Sequence, residues 1–263
     1  MQTSKPEEIR AAVREAYGAV ATQRPQSGCC GTSANCCGPT SSSSRQLGYT
    51  EAELAAVPDG ADLGLGCGNP QAIAALKPGE RVLDLGSGAG FDAFLAARQV
   101  GPTGSVIGVD MTPEMLDRAR TNAAKIGLAH VSFRLGEIEH LPVENDSVDV
   151  IMSNCVINLS PDKAAVFREA FRVLAPGGRL AISDVVAIGD LPAAIASDPA
   201  AYTDCIAGAA AIASLEEMMG STGFQNIRIS VQAHSRKLVE DWRPETGAAD
   251  VVASALIEAI KPA

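Results

Sequence analysis

Apolar and polar residues alternate along the middle of the chain with two different periods. Five short apolar runs bounded by turn residues predict strands, and the amphipathic segments between them predict helices. The predicted strands are 81–85, 105–110, 131–135, 148–153 and 179–186, and the predicted helices are 90–100, 112–126 and 160–174. Alternating units of this length predict an α/β fold with a doubly wound, mostly parallel sheet.

The segments on either side of this alternating region have different patterns of apolar and polar residues. Residues 6–21 predict a helix with the apolar stripe Ile9, Val13, Tyr17 and Val20, whereas residues 22–48 lose all periodicity. Further predicted elements are a short helix at 50–56, an Ala-rich helical stretch at 192–220, a strand at 224–232 and a last helix at 248–261. We therefore divide the chain into an N-terminal helix with a Cys-rich segment (1–48), a core (49–190) and a C-terminal part (191–263) that completes the sheet and covers the substrate.

Charge and hydropathy exclude several classes of partner. The chain of 263 residues carries a formal net charge of −10 and no cluster of Lys and Arg, so we expect no nucleic acid partner. The first residues lack the basic start and apolar run of a signal peptide, and the longest apolar stretch, 205–213, is too short to cross a bilayer. We expect a cytoplasmic monomer that has no membrane contact and acts on a small molecule.

A strand that ends in an acid leads into three glycines and a helix at residues 82–91. Glycine allows both the tight turn and the close approach of a ligand to the backbone. The spacing is G-x-G-x-G, and Phe91 stands where a dinucleotide fingerprint has Gly or Ala. This pattern argues against a nicotinamide cofactor and for S-adenosylmethionine, whose cationic amino-acid end suits Asp84.

Further polar residues stand at the ends of the following strands. Asp110 ends the second strand, twenty residues beyond Gly90, where an acid can accept hydrogen bonds from two ribose hydroxyls. Residues 136–139 end the third strand, where polar and apolar groups can bracket an adenine. The predicted cofactor-binding residues are Asp84, Gly86, Ser87, Gly88, Gly90, Asp110, Met111, Ile138, Glu139 and Asn154. This order of motifs resembles the Rossmann-like class I methyltransferases over residues 70–185.

Seven cysteines in a chain without a secretion signal do not indicate a disulfide framework. Reduced thiols for soft metal, metalloid or redox chemistry are the better interpretation. Cys155 follows the fourth predicted strand, whose carboxyl end opens onto the ligand crevice of such sheets. Cys205 lies in the later helical region, and Cys67 lies in a glycine-bounded loop before the core. Three thiols from three segments can converge on one small soft ion.

The settings of these cysteines resemble the arsenite methyltransferases. The similar stretches are Ser-Asn-Cys-Val-Ile-Asn-Leu at 153–159, Gly-Leu-Gly-Cys-Gly-Asn-Pro at 64–70 and Tyr-x-x-Cys-x-x-Gly at 202–208, and the resemblance runs from the first helix to about residue 235. It implies that Cys155 and Cys205 hold As(III) and that Cys67 joins them from a mobile loop, so that all three are catalytic.

The same resemblance implies a redox partner. Methyl transfer oxidises the arsenic, and the active-site cysteines return the electrons by forming a disulfide, which an external thiol system, glutathione or thioredoxin, then reduces. The implied substrates are arsenite, methylarsenite and their thiol conjugates. A further N-terminal cysteine matters in the family, and either vicinal pair, Cys29-Cys30 or Cys36-Cys37, can supply it. The pairs do not have the two-residue spacing of structural zinc sites.

The chain offers no histidine in any of these motifs. Its three histidines, His130, His140 and His234, stand outside them, whereas methylation of oxygen or nitrogen often needs a general base. Thiolate-bound As(III) keeps a lone pair and can attack the sulfonium methyl without losing a proton. The protein must then supply proximity and alignment.

Three other interpretations compete with this one. Packing alone explains a buried Cys155 or Cys205 taken singly, because free cysteine is among the most buried residue types. A methyltransferase for an organic acceptor needs an aromatic, apolar site, which 4% aromatic residues do not favour. A non-enzymatic metalloid-binding protein has no need of Asp84, the glycine series and Asp110.

Overall fold

Among the residues that the structure describes, eight strands form one sheet. The computed structural model describes residues 6–22, 41–232, 235–242 and 246–263. The strands are β1 (Arg81–Leu85), β2 (Ser105–Asp110), β3 (Val131–Leu135), β4 (Val148–Asn154), β5 (Leu174–Ala187), β6 (Ala210–Ala211), β7 (Gln225–Val231) and β8 (Val252–Ile260). Their order is β3-β2-β1-β4-β5-β8-β7, with the two-residue β6 paired to β5.

The helices connect these strands and cover both faces of the sheet. They are α1 (Pro6–Thr22), α2 (Ser41–Gln46), α3 (Glu51–Ala56), α4 (Gln71–Ala74), α5 (Phe91–Val100), α6 (Pro113–Ile126), α7 (Lys163–Val173), α8 (Ala193–Ala196), α9 (Pro199–Thr203), α10 (Ile212–Thr222) and α11 (Ser235–Trp242). Two single 3-10 turns, Ile157–Leu159 and Ala248–Asp250, complete the set in the described ranges. None of these described helices is both long and apolar enough to cross a bilayer.

Strands β1 to β5 are parallel, and β8 runs antiparallel to both of its neighbours, β5 and β7. The strand order reverses between β1 and β4, which are adjacent although β2 and β3 separate them along the chain. In a doubly wound sheet, ligands bind in the crevice at the carboxyl ends of the strands at such a switch point. The predicted fold class, an α/β fold with a mostly parallel sheet, is confirmed.

Alternate residues of a strand belong to two different hydrophobic cores, one on each face of the sheet. Leu83 and Leu85 of β1 belong to a cluster on one face, together with residues of α7 and α10, whereas Val82 belongs to a cluster on the other face with α5 and α6. This alternation follows from the two-residue period of a strand buried on both faces. A third cluster brings Cys67, Cys155 and Cys205 together with residues of α1, α9 and β8.

The helices and strands predicted for the central region are confirmed, with small shifts of their ends. Thr112 precedes α6 as predicted, but its side chain makes no capping bond. Asp162 caps α7, because its side chain accepts a hydrogen bond from the amide of Ala165 at 2.9 Å. The fifth strand begins earlier than predicted, at Leu174, so it follows α7 without a turn.

The predicted helix at 248–261 is wrong, because this segment consists of the 3-10 turn Ala248–Asp250 followed by strand β8. Its Ala-rich apolar run suits a helix by intrinsic propensity, but the same run also suits a strand that is buried on both faces. Both edges of β8 are hydrogen-bonded, one to β5 and the other to β7, and Ala255, Ile257 and Ala259 join the core. Tertiary pairing outweighs the small preference of alanine for helix.

Two other stretches also differ from the prediction. Residues 22–48 were expected to lack regular structure, yet 41–46 form α2, in which Ser44 is buried and donates a hydrogen bond to Asp62 at 2.8 Å. The helical stretch at 192–220 is divided into three helices, and β6 lies between the second and the third. Local hydrogen bonds and sheet pairing cause these differences, and neither leaves a periodic signal.

Replacing Ile257 by Ala tests the position of β8 within the sheet. Ile257 is 1% exposed, and Ile260 of the same strand is 39% exposed. We expect Ile257→Ala to lower the free energy of unfolding by about 2–4 kcal/mol, and the matched Ile260→Ala by less than about 1 kcal/mol. Denaturant titration measures both. In a helix these two positions share a face, so equal losses in the two variants would contradict the strand.

Candidate active site

A cleft opens at the carboxyl ends of β1, β2 and β4, and its empty volume, which includes space open to solvent, is about 1120 Å³. The glycine loop after β1 lines the cleft, and so do Arg10, Val13 and Tyr17 of α1. Of the predicted cofactor-binding residues, those that line the cleft are Asp84, Gly86, Ser87, Gly88, Asp110, Met111, Ile138, Glu139 and Asn154. One cavity therefore collects residues from the carboxyl ends of four strands, β1, β2, β3 and β4.

Gly90 does not line this cleft. It is the N-cap residue of α5 with φ 94°, and a Cβ at this position would lie 2.6 Å from the ring of Phe94. Gly90 therefore serves the turn and the packing of the helix on the sheet. Its contact with the cofactor stays a prediction.

Two polar atoms in the cleft fit a polar ligand. Among the described residues, Asp84 Oδ2 and Ser87 Oγ are buried without a hydrogen-bond partner. Burial raises the pKa of Asp84 well above its ordinary value, and the negative charges of Asp92 and Asp110 raise it further. Buried polar groups are normally satisfied, so these atoms suit a ligand that brings a hydrogen-bond donor and a positive charge. The amino-acid end of S-adenosylmethionine has both.

Asp110 is held in place by two backbone amides. Its Oδ1 accepts a hydrogen bond from Thr112 N at 2.8 Å, and its Oδ2 accepts one from Gly88 N at 2.9 Å. Burial raises its pKa, although these backbone hydrogen bonds act in the opposite direction. Each carboxylate oxygen has a second lone pair, so the side chain can still accept two hydroxyl groups from the cleft.

Glu139 connects the end of β3 to α1. It is 4% exposed and accepts a hydrogen bond from Ser160 Oγ at 2.7 Å and one from Arg10 Nη2 at 3.3 Å. Arg10 also lies 3.4 Å from a carboxylate oxygen of Glu137. These ion pairs attach α1 to the wall of the cleft, a role that no motif in the sequence indicated.

Three thiols lie together behind the cleft. Cys67, Cys155 and Cys205 are reduced and 2%, 4% and 3% exposed. The sulfur atoms of Cys67 and Cys155 and a carboxylate oxygen of Asp184 all lie within 4.8 Å of one another. The thiol of Cys205 donates a hydrogen bond to the carbonyl of Cys155 at 3.0 Å. The structure thus brings the three predicted thiols together, whereas Cys29, Cys30, Cys36 and Cys37 lie outside the described residues.

Both Cys155 and Cys205 have a left-handed backbone, with φ 60° and 63°. Residues other than glycine avoid this region, and holding one there costs about 1–3 kcal/mol. The surrounding contacts stabilise the conformation, since Cys155 N donates to Ser183 O at 2.8 Å and the Asn158 amide reaches Cys205 O at 3.4 Å. Strain of this kind is concentrated at functional sites.

The thiols share their surroundings with a buried acid. Asp184 accepts four hydrogen bonds, from the amides of Ile157, Asn158 and Val185 and from the Asn158 side chain. Burial nevertheless raises its pKa to about 6. The nearby ammonium of Lys163 is itself buried, which lowers its pKa.

Two of the thiols, Cys155 and Cys205, have raised pKa values, which favours their neutral form. Hydrogen bonds with Cys205 and Cys67, followed by burial, raise the pKa of Cys155 well above its ordinary value. A hydrogen bond from Cys155 lowers the pKa of Cys205, but burial and the charges of Asp184 and Cys67 outweigh this effect and raise it. A substrate that reacts with neutral thiols suits this environment better than a metal cation.

Sequence reasoning missed several residues of this site. Asp184 lies near the carboxyl end of the apolar strand β5, which is a signal that could have been used. Asn158 lies inside a motif that was noted, but no role was assigned to it. Tyr17 was counted as part of an apolar stripe, although its hydroxyl donates to Thr203 O at 3.2 Å beside the thiols.

Known proteins match this chain over most of its length. The methyltransferase domain family matches residues 76–238. An arsenite methyltransferase from Halobacterium salinarum is 51% identical over 98% of this chain and 68% of its own length. The chain belongs to the arsenite methyltransferase family. The human arsenite methyltransferase is 39% identical over 54% of this chain and 40% of its own length.

Solved structures agree with membership in the arsenite methyltransferase family. The arsenic(III) S-adenosylmethionine methyltransferase of Chlamydomonas reinhardtii has a TM-score of 0.61 at 37% identity and covers 84% of this chain and 73% of its own. A phosphoethanolamine N-methyltransferase of Haemonchus contortus has a TM-score of 0.62 at 21% identity, covers 82% of this chain and 54% of its own, and shows the fold alone. The resemblance inferred from the cysteine motifs is confirmed.

In this member of the arsenite methyltransferase family, Asp110 offers a test of the cofactor cleft. If Asp110 accepts the two ribose hydroxyls as predicted, replacing it with Ala should weaken S-adenosylmethionine binding by about 1.5–3 kcal/mol. Calorimetry measures the change, with the exposed Asp117 of α6, also replaced by Ala, as the matched control. Equal affinities in Asp110→Ala and the control would contradict the placement of the ribose.

Asp184 should make stability depend on pH in a defined direction. Its pKa in the folded state is about 6 against an ordinary 3.8, so the folded state binds the extra proton and loses stability as the pH rises through this window. In Asp184→Asn this loss disappears. Between pH 4 and 6 the free energy of unfolding of the unchanged protein should therefore fall by about 2–3 kcal/mol more than that of the variant. Denaturant titrations at several pH values measure it. Parallel curves for the two proteins would show that Asp184 does not titrate there.

Proposed function

We propose that this chain is an S-adenosylmethionine-dependent arsenite methyltransferase whose Cys67, Cys155 and Cys205 bind trivalent arsenic. The observation that carries the proposal is the cluster of three buried thiols directly behind a cleft that fits S-adenosylmethionine. Cys155 belongs to both, because it lines the cleft and contacts the other two cysteines. The acceptor and the methyl donor therefore meet at the end of β4.

The neutral form that the raised pKa values of Cys155 and Cys205 favour suits the capture of arsenite. Arsenous acid, As(OH)₃, reacts with three thiols to give three As–S bonds, and each thiol proton leaves with a hydroxide as water. The product carries no net charge, which favours a buried site where charge is costly. A divalent cation bound by three thiolates would instead leave negative charge beside Asp184.

Methyl transfer at this site needs alignment more than proton transfer. S-adenosylmethionine supplies an electrophilic methyl group, and arsenic held by thiolates keeps a lone pair. Neither described histidine lines the cleft: His130 contacts the carbonyl of Ala97 at 3.0 Å and His140 is exposed, while His234 lies outside the described residues. The roles left to the protein are to hold the sulfur ligands, orient the cofactor through Asp84 and Asp110, and exclude water.

A thiol reductant completes the cycle. The arsenic gives its electron pair to the new carbon bond and becomes As(V). Two cysteine thiolates then supply two electrons, restore As(III) and form a disulfide, which glutathione or thioredoxin reduces by exchange. The close placement of Cys67, Cys155 and Cys205 supports disulfide formation within the site. Arsenite, methylarsenite and their thiol conjugates are the proposed substrates, and a cytoplasmic monomer remains our expectation.

Serine substitutions distinguish the roles of the three cysteines. A hydroxyl is a poor ligand for As(III), so Cys155→Ser and Cys205→Ser should abolish methylation of both arsenite and methylarsenite. Methylarsenite has one ligand position fewer and needs two thiols, so Cys67→Ser should lose activity on arsenite and keep part of its activity on methylarsenite. Arsenic speciation after incubation with S-adenosylmethionine and glutathione measures all six combinations.

Cofactor affinity serves as the control for correct folding of each variant. Turnover by Cys155→Ser on either substrate, or an equal loss on both substrates in Cys67→Ser, would contradict this division of labour.

A further inference from the structure

The loop that carries Cys67 is tied to the cofactor cleft through one side chain. Asn154, the last residue of β4, accepts a hydrogen bond from Cys67 N at 3.1 Å through Oδ1. Through Nδ2 it donates to Gly68 O at 3.0 Å and to the buried carboxylate of Asp92 at 3.1 Å. The same side chain lines the cleft. One amide therefore contacts both flanks of the Cys67 peptide and a wall of the cofactor site.

These contacts require an amide in one orientation. The Cys67 N–H needs an acceptor, and the Gly68 carbonyl needs a donor, so an oxygen and a nitrogen must stand on opposite sides of the same group. Aspartate has the same size but cannot donate, and it would place a second carboxylate beside Asp92. Only asparagine among side chains of this length meets the pattern.

The loop is shaped to allow this contact. A Cβ on Gly66 would lie 2.7 Å from Asn154 Nδ2, and a Cβ on Gly68 would lie 2.0 Å from Ser183 Oγ. The glycines on both sides of Cys67 thus permit the loop backbone to lie directly on the ends of β4 and β5. A second tether comes from β8, where Ser254 Oγ donates to Cys67 O at 2.8 Å.

We propose that Asn154 is a positioning residue that holds Cys67 beside Cys155 and so selects a substrate with three ligand positions. The proposal rests on the proposed function for its substrate, inorganic As(III) as opposed to a monomethylated arsenical. When the amide contact is made, Cys67 lies within 4.8 Å of Cys155 and can add a third sulfur. When it is lost, the site keeps the pair Cys155 and Cys205, which suffices for a methylated substrate.

The rate at which Cys67 is alkylated tests the tether without any arsenic. Iodoacetamide is added to the full chain, and mass spectrometry follows the peptide that contains Cys67. Asn154→Asp should raise the rate at Cys67 about tenfold or more, because local opening then exposes a thiol that is now buried. Ser254→Ala removes the second tether away from the cleft and should also raise this rate. Asn145→Asp changes an exposed loop residue in the same way and should leave the rate unchanged.

Turnover at saturating S-adenosylmethionine gives the second measurement. Asn154→Asp should lose methylation of arsenite and keep part of its activity on methylarsenite, whereas general damage to the fold or to cofactor binding lowers both alike. An unchanged alkylation rate at Cys67 in both Asn154→Asp and Ser254→Ala overturns the proposal. Faster alkylation together with an equal loss on both substrates would confirm the tether and count against the proposed division of labour among the thiols.

Discussion

The pairing of β4 with β5 is the constraint on which the whole site depends. Its register places Asn154 opposite Ser183, and the next amide, that of Cys155, donates to Ser183 O at 2.8 Å. The chain leaves the sheet at this point with a left-handed residue, which directs Cys155 toward the other thiols and Asn154 toward the cleft. A shift of this register by one residue would turn the side chains of β4 to the opposite faces of the sheet. Both the thiol cluster and the cofactor cleft would then be lost.

The parts of the fold that could be predicted are those whose signal is local. Strands β1 to β5 and their helices follow from short apolar runs, turn residues and caps, and the cofactor motif follows from glycines and acids at strand ends. Strand β8 could not be recognised, because a two-sided buried strand and an Ala-rich helix have the same pattern of apolar residues. The short helix α2 depends on a contact between Ser44 and Asp62 that only the folded chain provides.

The residues of the candidate site also fall into those that the sequence could predict and those that it could not. Cys67, Cys155 and Cys205 could be selected because each stands in a distinctive setting, and family membership agrees with that selection. The distances between these cysteines could not be predicted, since they depend on which strands are neighbours in the sheet. Asp184, Asn158 and Tyr17 were missed for a related reason: an acid on a strand, an asparagine after it and a tyrosine on an apolar stripe are ordinary until the fold brings them to the thiols.

Strand β8 also has a consequence for how the molecule is made. It occupies the position between β5 and β7, and its Ser254 bonds to the carbonyl of Cys67, a residue synthesised 187 positions earlier. During translation the ribosome releases the earlier strands first, so the sheet stays open beside β5 until residue 260 has emerged. The contact between Ser254 and Cys67 therefore cannot form before β8 has been synthesised, and the loop that carries the third thiol lacks this support until then.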